Sequence, residues 1–177
     1  MKSSKSYVIS RELNSVSERR QINQVAIAKE TCRAKTTVNG YYRGEPTPIE
    51  AMQQIAEVVD DSIFSQQLSH KVFENIPAME SEVFRMDPYA LDIIQSIEQE
   101  ERNQLKSKAM FALTKNKEAL SKEDKEAIFE YAMNYLDEVF IEIRYIITLF
   151  EKLGMSMMTA VKRRVPHWKM KKYLKGE

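Results

Sequence analysis

The chain has 177 residues, of which 30% are charged and 43% hydrophobic, with four glycines and ten methionines. This composition is typical of a helix-rich protein with one domain or two small ones, long enough to bury a core. No stretch approaches the roughly 18–20 apolar residues of a membrane span, and the first residues lack the apolar core of a secretion signal. The single cysteine excludes an internal disulfide, so we expect a reducing, cytoplasmic location.

Charge is distributed unevenly along the chain. Residues 1–44 carry nine Lys or Arg and three Asp or Glu, a net charge of +6. Residues 45–101 carry two and thirteen, a net −11, and residues 102–177 carry sixteen and ten, a net +6. A basic segment followed by an acidic one favours a nucleic-acid-binding face with the acidic surface turned away. The alternative is that each charged run is a solvated face.

The first predicted helix lies within residues 7–20 and points Val8, Ile9, Leu13 and Val16 inward. Residues 21–44 then predict two short helices across a tight turn. Val25, Ile27 and Ala28 are the apolar residues of the first of these helices. The second begins at Ala34 or Lys35 and buries Val38 and Tyr41. Its exposed positions are side chains that contact phosphates or base edges, namely Lys35, Thr36, Thr37, Asn39, Tyr42 and Arg43.

This stretch resembles the DNA-binding module of the Cro/cI-like (XRE) family of helix-turn-helix repressors from phages and plasmids. The matching residues are Gln24, Ile27-Ala28, Val38 and Tyr42-Arg43-Gly44. The spacing from Ile27 to Val38 is the family's, and the resemblance covers roughly residues 8–73. Two positions depart from the family pattern, because Cys32 replaces the turn glycine and Tyr42 replaces the usual glutamate. The alternative is an α-hairpin in an ordinary helical protein.

The resemblance implies a set of contacts with double-stranded DNA. The residues expected to face bases are Lys35, Thr36, Thr37, Asn39 and Gly40. Gly40 is expected to let the backbone approach DNA closely, whereas Asn39 suits adenine and Lys35 suits guanine. The residues expected to hold phosphates are Asn23, Gln24, Tyr42 and Arg43, together with Arg19 and Arg20 just before the motif.

Two further helix starts follow the motif. Thr47, Pro48 and Glu50 resemble a capping box that opens a fourth helix, and Ser62 is the expected cap of a fifth. The predicted fold is therefore all-α, with a five-helix lambda-repressor-like DNA-binding domain over residues 1–73. Residues 74–87 read as a linker, and residues 88–177 as a helical oligomerisation domain.

The second half contains the most periodic stretch of the chain. Asp87-Pro88 predicts one helix start, and Ser121 opens a second helix that continues to about Leu153. Its wide apolar surface must be covered by something, which favours a homodimer or homotetramer over a monomeric bundle. The expected interface residues are Ile128, Tyr135, Val139, Ile143, Ile146 and Phe150. The basic tail, residues 162–177, is either an additional DNA contact or a packed or solvated terminal helix.

The sequence shows no motif for catalysis, and we expect no cofactor and no metal ion. There is no phosphate-binding glycine loop, and the two histidines and one cysteine lack metal-ligand spacing. The function expected is a sequence-specific transcriptional repressor that binds inverted-repeat operators. An antirepressor protein or a peptide-responsive partner is a further candidate ligand, and no membrane is expected. The alternative is a helical adaptor or antirepressor whose helix-turn-helix does not bind DNA.

Overall fold

The computed structural model describes residues 5–175, which divide into two compact units. The first unit contains the described residues up to Ala78 together with those from Gly154 onward, and the second is Met79–Leu153. Both are built mainly from helices, which confirms the all-α class. None of the helices in the described part of the chain is long and apolar enough to cross a membrane.

The regular elements follow one another with short connections. In chain order they are β1 (Ser6–Tyr7), α1 (Ser10–Arg20), α2 (Gln24–Glu30), α3 (Lys35–Tyr42), β2 (Thr47–Pro48), α4 (Ile49–Val59), α5 (Ser62–Phe73), α6 (Pro88–Leu113), α7 (Lys122–Lys152) and α8 (Met157–Met170). A single 3-10 turn, Lys117–Ala119, lies between α6 and α7. Residues 74–87 contain no helix or strand, as the linker prediction requires.

The first unit has one hydrophobic core, to which α1 to α5 all contribute. Its fully buried side chains include Leu13, Val16, Ile27, Val38, Ile55 and Phe64. The periodic apolar positions predicted for these helices are therefore confirmed for the most part. Val8 and Val25 are exceptions, since both are exposed. Val8 lies in the extended segment before α1, so helical spacing does not govern its direction.

The start of α4 differs from the sequence prediction. Thr47 and Pro48 form β2, which pairs antiparallel with β1 through Ser6↔Pro48 and Tyr7↔Thr47. The helix begins only at Ile49, and no side chain caps its first turn. Thr47 was expected to be that cap, but it is fully buried and its backbone is committed to the strand pair. The capping-box pattern was overridden by pairing with a segment about 40 residues earlier.

The domain boundaries observed differ from those expected from the sequence. Residues from Gly154 onward join the first unit, whereas the prediction placed the whole of 88–177 in one oligomerisation domain. α8 is capped by Ser156 and contacts the turn between α4 and α5. The first unit is thus made from two segments of chain, with the second unit inserted between them.

The second unit is a hairpin of two long antiparallel helices. Asp87 caps α6 and Ser121 forms a capping box with Asp124 at the start of α7, as predicted from these residues. Near the open end, Leu91 of α6 packs with Ile141 of α7 and with Met79. Near the closed end, small residues let the helices approach each other, namely Ala109, Ala112 and Ala127.

A buried ion pair lies in the middle of this hairpin. Glu138 is only 2% exposed, and both of its oxygens accept hydrogen bonds from Arg102. Arg102 also donates a 3.2 Å hydrogen bond to the Tyr131 hydroxyl, and its guanidinium lies 4.7 Å from the ring centre of Tyr135. The hydrogen bonds to Glu138 and Tyr131 raise the pKa of Arg102, so the pair stays ionised. A lone buried polar pair in a helical seam fixes the register of the two helices.

Candidate nucleic-acid interface

The candidate site is built from α2, the connection after it and α3. Asn23 caps α2 by accepting a 2.9 Å hydrogen bond from the Ala26 N–H. The helix ends in a Schellman motif, because the Cys32 N–H donates to the Lys29 carbonyl and the Arg33 N–H to the Ala28 carbonyl. Cys32 has a φ of 53°, the left-handed conformation that such an end requires. Its position is therefore the turn position that glycine normally takes.

Replacing Cys32 by glycine is expected to stabilise the first unit by about 0.5–1 kcal/mol, because glycine relieves left-handed strain at a modest entropic cost. Cys32→Ala is the matched control, since alanine keeps the strained Cβ but removes the thiol. Denaturant unfolding followed by the fluorescence of the single tryptophan, Trp168, which lies in this unit, measures both variants. A glycine variant no more stable than the alanine variant would contradict the strain argument.

α3 is held against the domain by one face and leaves the other free. Val38 is fully buried and Tyr41 nearly so, which fixes the rotation of the helix about its axis. Lys35, Thr36 and Thr37 are exposed on its first turn. No side chain caps this turn, because the N-cap is Ala34. The exposed residues and the free N–H groups together suit negatively charged or hydrogen-bonding ligands.

Two of the predicted DNA contacts in α3 have a different environment from the one expected. Asn39 is half-buried, so only part of its side chain is accessible. Gly40 is buried, and the space beside its Cα is filled by the carboxyl group of Glu45. The Glu45 N–H also donates a 2.9 Å hydrogen bond to the Gly40 carbonyl. The expectation that Gly40 lets the backbone approach DNA is wrong, because the glycine accommodates Glu45 instead.

Tyr42 is the second correction. It was expected to be exposed and to hold a phosphate, but it is only 9% exposed and belongs to the hydrophobic core. Its hydroxyl forms a hydrogen bond with Ser17 of α1. Burial raises the pKa of Tyr42 and outweighs the opposing effect of Ser17. This residue therefore anchors the end of α3 to α1.

Several candidate phosphate contacts lie around this helix. Arg20 and Arg43 are exposed, and Gln24 is the half-buried first residue of α2. The capping role of Asn23 uses its carbonyl oxygen, which leaves the amide NH₂ as a donor.

Arg19 is engaged within the domain. It binds Asp61 through two hydrogen bonds of 2.8 and 3.0 Å, and Asp61 also caps α5 by accepting from the Phe64 N–H. Burial alone would raise the pKa of Asp61, but the hydrogen bonds from Arg19 and Phe64 outweigh it and the pKa is lowered. A phosphate contact by Arg19 therefore competes with this ion pair.

Sequence reasoning missed Asp61 and Glu45. Ser62 was expected to cap α5, but Asp61 is the cap and Ser62 is the first helical residue. The spacing of Asp61 to Phe64 is a recognisable cap pattern, so this signal was present. Nothing in the sequence around Glu45 indicates that its carboxyl group folds back beside Gly40.

The expected oligomer interface lies mainly on the outward side of α7. Tyr135 and Ile146 are exposed, whereas Ile128, Val139, Ile143 and Phe150 are half-buried. Five further apolar residues of α7 are also exposed, namely Phe129, Met133, Leu136, Leu149 and Leu153. The residues of α7 that meet α6 are instead more polar, since they include Glu138. The most apolar face of the longest helix is therefore left uncovered in the single chain.

The chain was compared with known proteins in three ways. No family model matches it, and no curated protein or solved structure does so either. Within residues 5–175, no group of three or more His, Cys, Asp or Glu residues is arranged to hold a metal ion. The functional argument therefore depends on the geometry of the chain itself.

Proposed function

We propose that the protein is a sequence-specific DNA-binding transcriptional repressor of the Cro/cI-like type, which reads an inverted-repeat operator as a dimer or tetramer. In this proposal α1 to α5 are a lambda-repressor-like DNA-binding domain and α3 is the recognition helix. Lys35, Thr36 and Thr37 contact base edges in the major groove, and Asn39 contributes through its accessible part. Gln24, Arg20 and Arg43 contact phosphates.

One observation carries the proposal. α2 and α3 are joined by a short connection with a left-handed residue at Cys32, and α3 is fixed by Val38 and Tyr41 so that its first turn is exposed. A recognition helix contacts bases mainly through residues near its N-terminal end, so Lys35, Thr36 and Thr37 lie where base contacts are made. The resemblance of residues 21–44 to the repressor family supports the same assignment.

The uncovered face of α7 supports the oligomeric part of the proposal. A second copy that covers this face pairs two DNA-binding domains in one particle. Two recognition helices then meet successive major-groove segments about 34 Å apart, which is why the operator is expected to be an inverted repeat.

The test is a salt titration of binding to DNA from upstream of the protein's own gene, against a scrambled duplex, with sedimentation of the same samples. We expect Thr37→Ala and Asn39→Ala each to cost about 1–3 kcal/mol at particular base pairs, because a base contact is lost. Arg43→Ala is expected to weaken all duplexes alike. Gln53→Ala, an exposed position on α4, is the matched control.

The outcomes separate the candidate functions. Specific, salt-sensitive binding that Thr37→Ala and Asn39→Ala relax at particular base pairs supports the repressor. Unchanged discrimination in both variants would refute α3 as the reading helix. A wild-type protein that binds neither duplex at low salt would refute DNA binding altogether and direct attention to a protein ligand for the α7 face.

A further inference from the structure

The inference concerns α8, the helix that returns to the first unit. Its cap Ser156 donates a 2.6 Å hydrogen bond to Asp60 Oδ1 and accepts one from the Thr159 N–H. The Met157 N–H donates a 2.8 Å hydrogen bond to Ser62 Oγ. The N-terminus of α8 is thus attached to both residues that flank Asp61.

The attachment point lies close to the candidate phosphate contacts. Asp61 binds Arg19 at the end of α1. Arg20 follows directly, and Asn23 and Gln24 come three and four residues after it. α8 therefore starts beside the part of the domain from which α2 is expected to contact the DNA backbone.

Grouping the chain by structural unit changes the picture of its charge. Residues 1–78 carry ten Lys or Arg and nine Asp or Glu, a net charge of only +1. Residues 154–177 carry seven and one, a net +6, so the returning segment supplies most of the positive charge of the first unit. Residues 79–153 carry ten and sixteen, a net −6.

The basic side chains of this segment are available to a ligand. Val161, Val165 and Trp168 recur at helical spacing and are half-buried, so one side of α8 is less accessible than the other. The exposed basic residues are Lys162, Arg163, Arg164, Lys169, Lys171 and Lys172. None of these six side chains makes an ion pair or a hydrogen bond with another described residue.

We propose that α8 and the turn after it form a second phosphate-binding element of the DNA-binding unit, which contacts the duplex backbone without reading bases. The inference rests on the proposed function and adds to it a sequence-independent contact made by the far end of the chain. Flexible, exposed Lys and Arg side chains on a docked helix neutralise phosphates, and each neutralised phosphate releases counterions and strengthens binding.

The first test is a neutralised full-length variant with Arg163→Gln, Arg164→Gln, Lys169→Gln and Lys171→Gln. We expect its affinity for operator and scrambled DNA to fall together by about 10- to 1,000-fold at low salt. The slope of log K against log salt should decrease by about 0.9 per lost phosphate contact, or roughly 2–4 in total. The ratio of operator to scrambled affinity should stay within about twofold of the wild type.

A matched control makes the same number of Lys→Gln changes in the second unit, at Lys106, Lys108, Lys117 and Lys125, all of which are exposed. It should bind with the wild-type slope. A second variant, Ser156→Ala, keeps every charge but removes the bond to Asp60. It should alter the fluorescence of Trp168 and lower affinity for both duplexes.

The failure of this inference can be told apart from the failure of the proposed function. A neutralised variant with wild-type affinity and slope, in a protein whose specificity still depends on Thr37, overturns the inference and leaves the repressor intact. A loss confined to operator DNA also overturns it, because α8 would then read sequence. If α8 instead binds an acidic protein, the neutralised variant loses that partner and keeps its DNA affinity, which again overturns it.

Discussion

Replacing Glu138 by alanine is expected to destabilise the α6/α7 hairpin by about 3 kcal/mol or more. The wild-type carboxylate is buried and accepts two hydrogen bonds from Arg102, whose own side chain is only 14% exposed. The substitution leaves that guanidinium in a poorly solvated seam without its counter-charge. Far-UV circular dichroism during denaturant unfolding measures the loss, since two long helices contribute most of the hairpin's signal.

A double variant distinguishes loss of the pair from loss of packing. Arg102→Leu with Glu138→Leu removes both charges and is expected to recover most of the stability, because a buried ion pair barely repays its desolvation. A single Glu138→Ala variant as stable as the wild type would show that the seam is hydrated. A double variant as unstable as the single one would attribute the loss to side-chain volume.

The second large effect is expected from Leu136→Glu combined with Ile146→Glu. Both side chains are exposed in the single chain, at 45% and 40%, so the two charges should leave the fold of the monomer intact. In an oligomer that covers this face they would be buried without partners, and the oligomer should dissociate. Operator affinity should then fall by at least about 100-fold, because two linked sites bind far more tightly than one.

Sedimentation and DNA binding on the same samples check this result. Lys125→Glu is the control, because it changes the net charge by the same amount at an exposed polar position near the start of α7. Wild-type protein that sediments as a monomer, or a double variant that keeps the wild-type oligomer, would contradict the assignment of this face.

The sequence predicted the long helices well because their ends are determined locally. Asp87 before Pro88 and Ser121 before Asp124 are both caps in the structure, and the bonds they form span two or three residues. Thr47 shows the limit of the same reasoning. Its cap pattern is equally good, but strand pairing with Tyr7 gives its backbone another role.

The candidate site was predicted in part. Lys35, Thr36 and Thr37 are exposed, since their direction follows from the burial of Val38 and Tyr41 at helical spacing. Tyr42 could not be placed in this way. Its partner Ser17 is 25 residues away, and a tyrosine has both an apolar ring for the core and a hydroxyl for a phosphate.

The faces of α7 illustrate a different difficulty. The apolar rows of the sequence were correctly identified as a surface in need of a partner, but Glu138 was passed over. A glutamate on a long helix usually marks a solvated position, and only Arg102, 36 residues earlier, makes it an interior one. Which row faces α6 is therefore decided by a long-range pair that periodicity does not reveal.

The contact between Asp60 and Ser156 joins residues that are 96 positions apart. Closing so long a loop has an entropic cost, which falls by about 0.6 kcal/mol for each halving of the loop length. Once α6 and α7 have folded together, their open ends are near each other and the effective loop is roughly a third as long. Docking of α8 is thereby favoured by about 1 kcal/mol. The last helix is therefore expected to dock late in folding, and a hairpin that opens will loosen it.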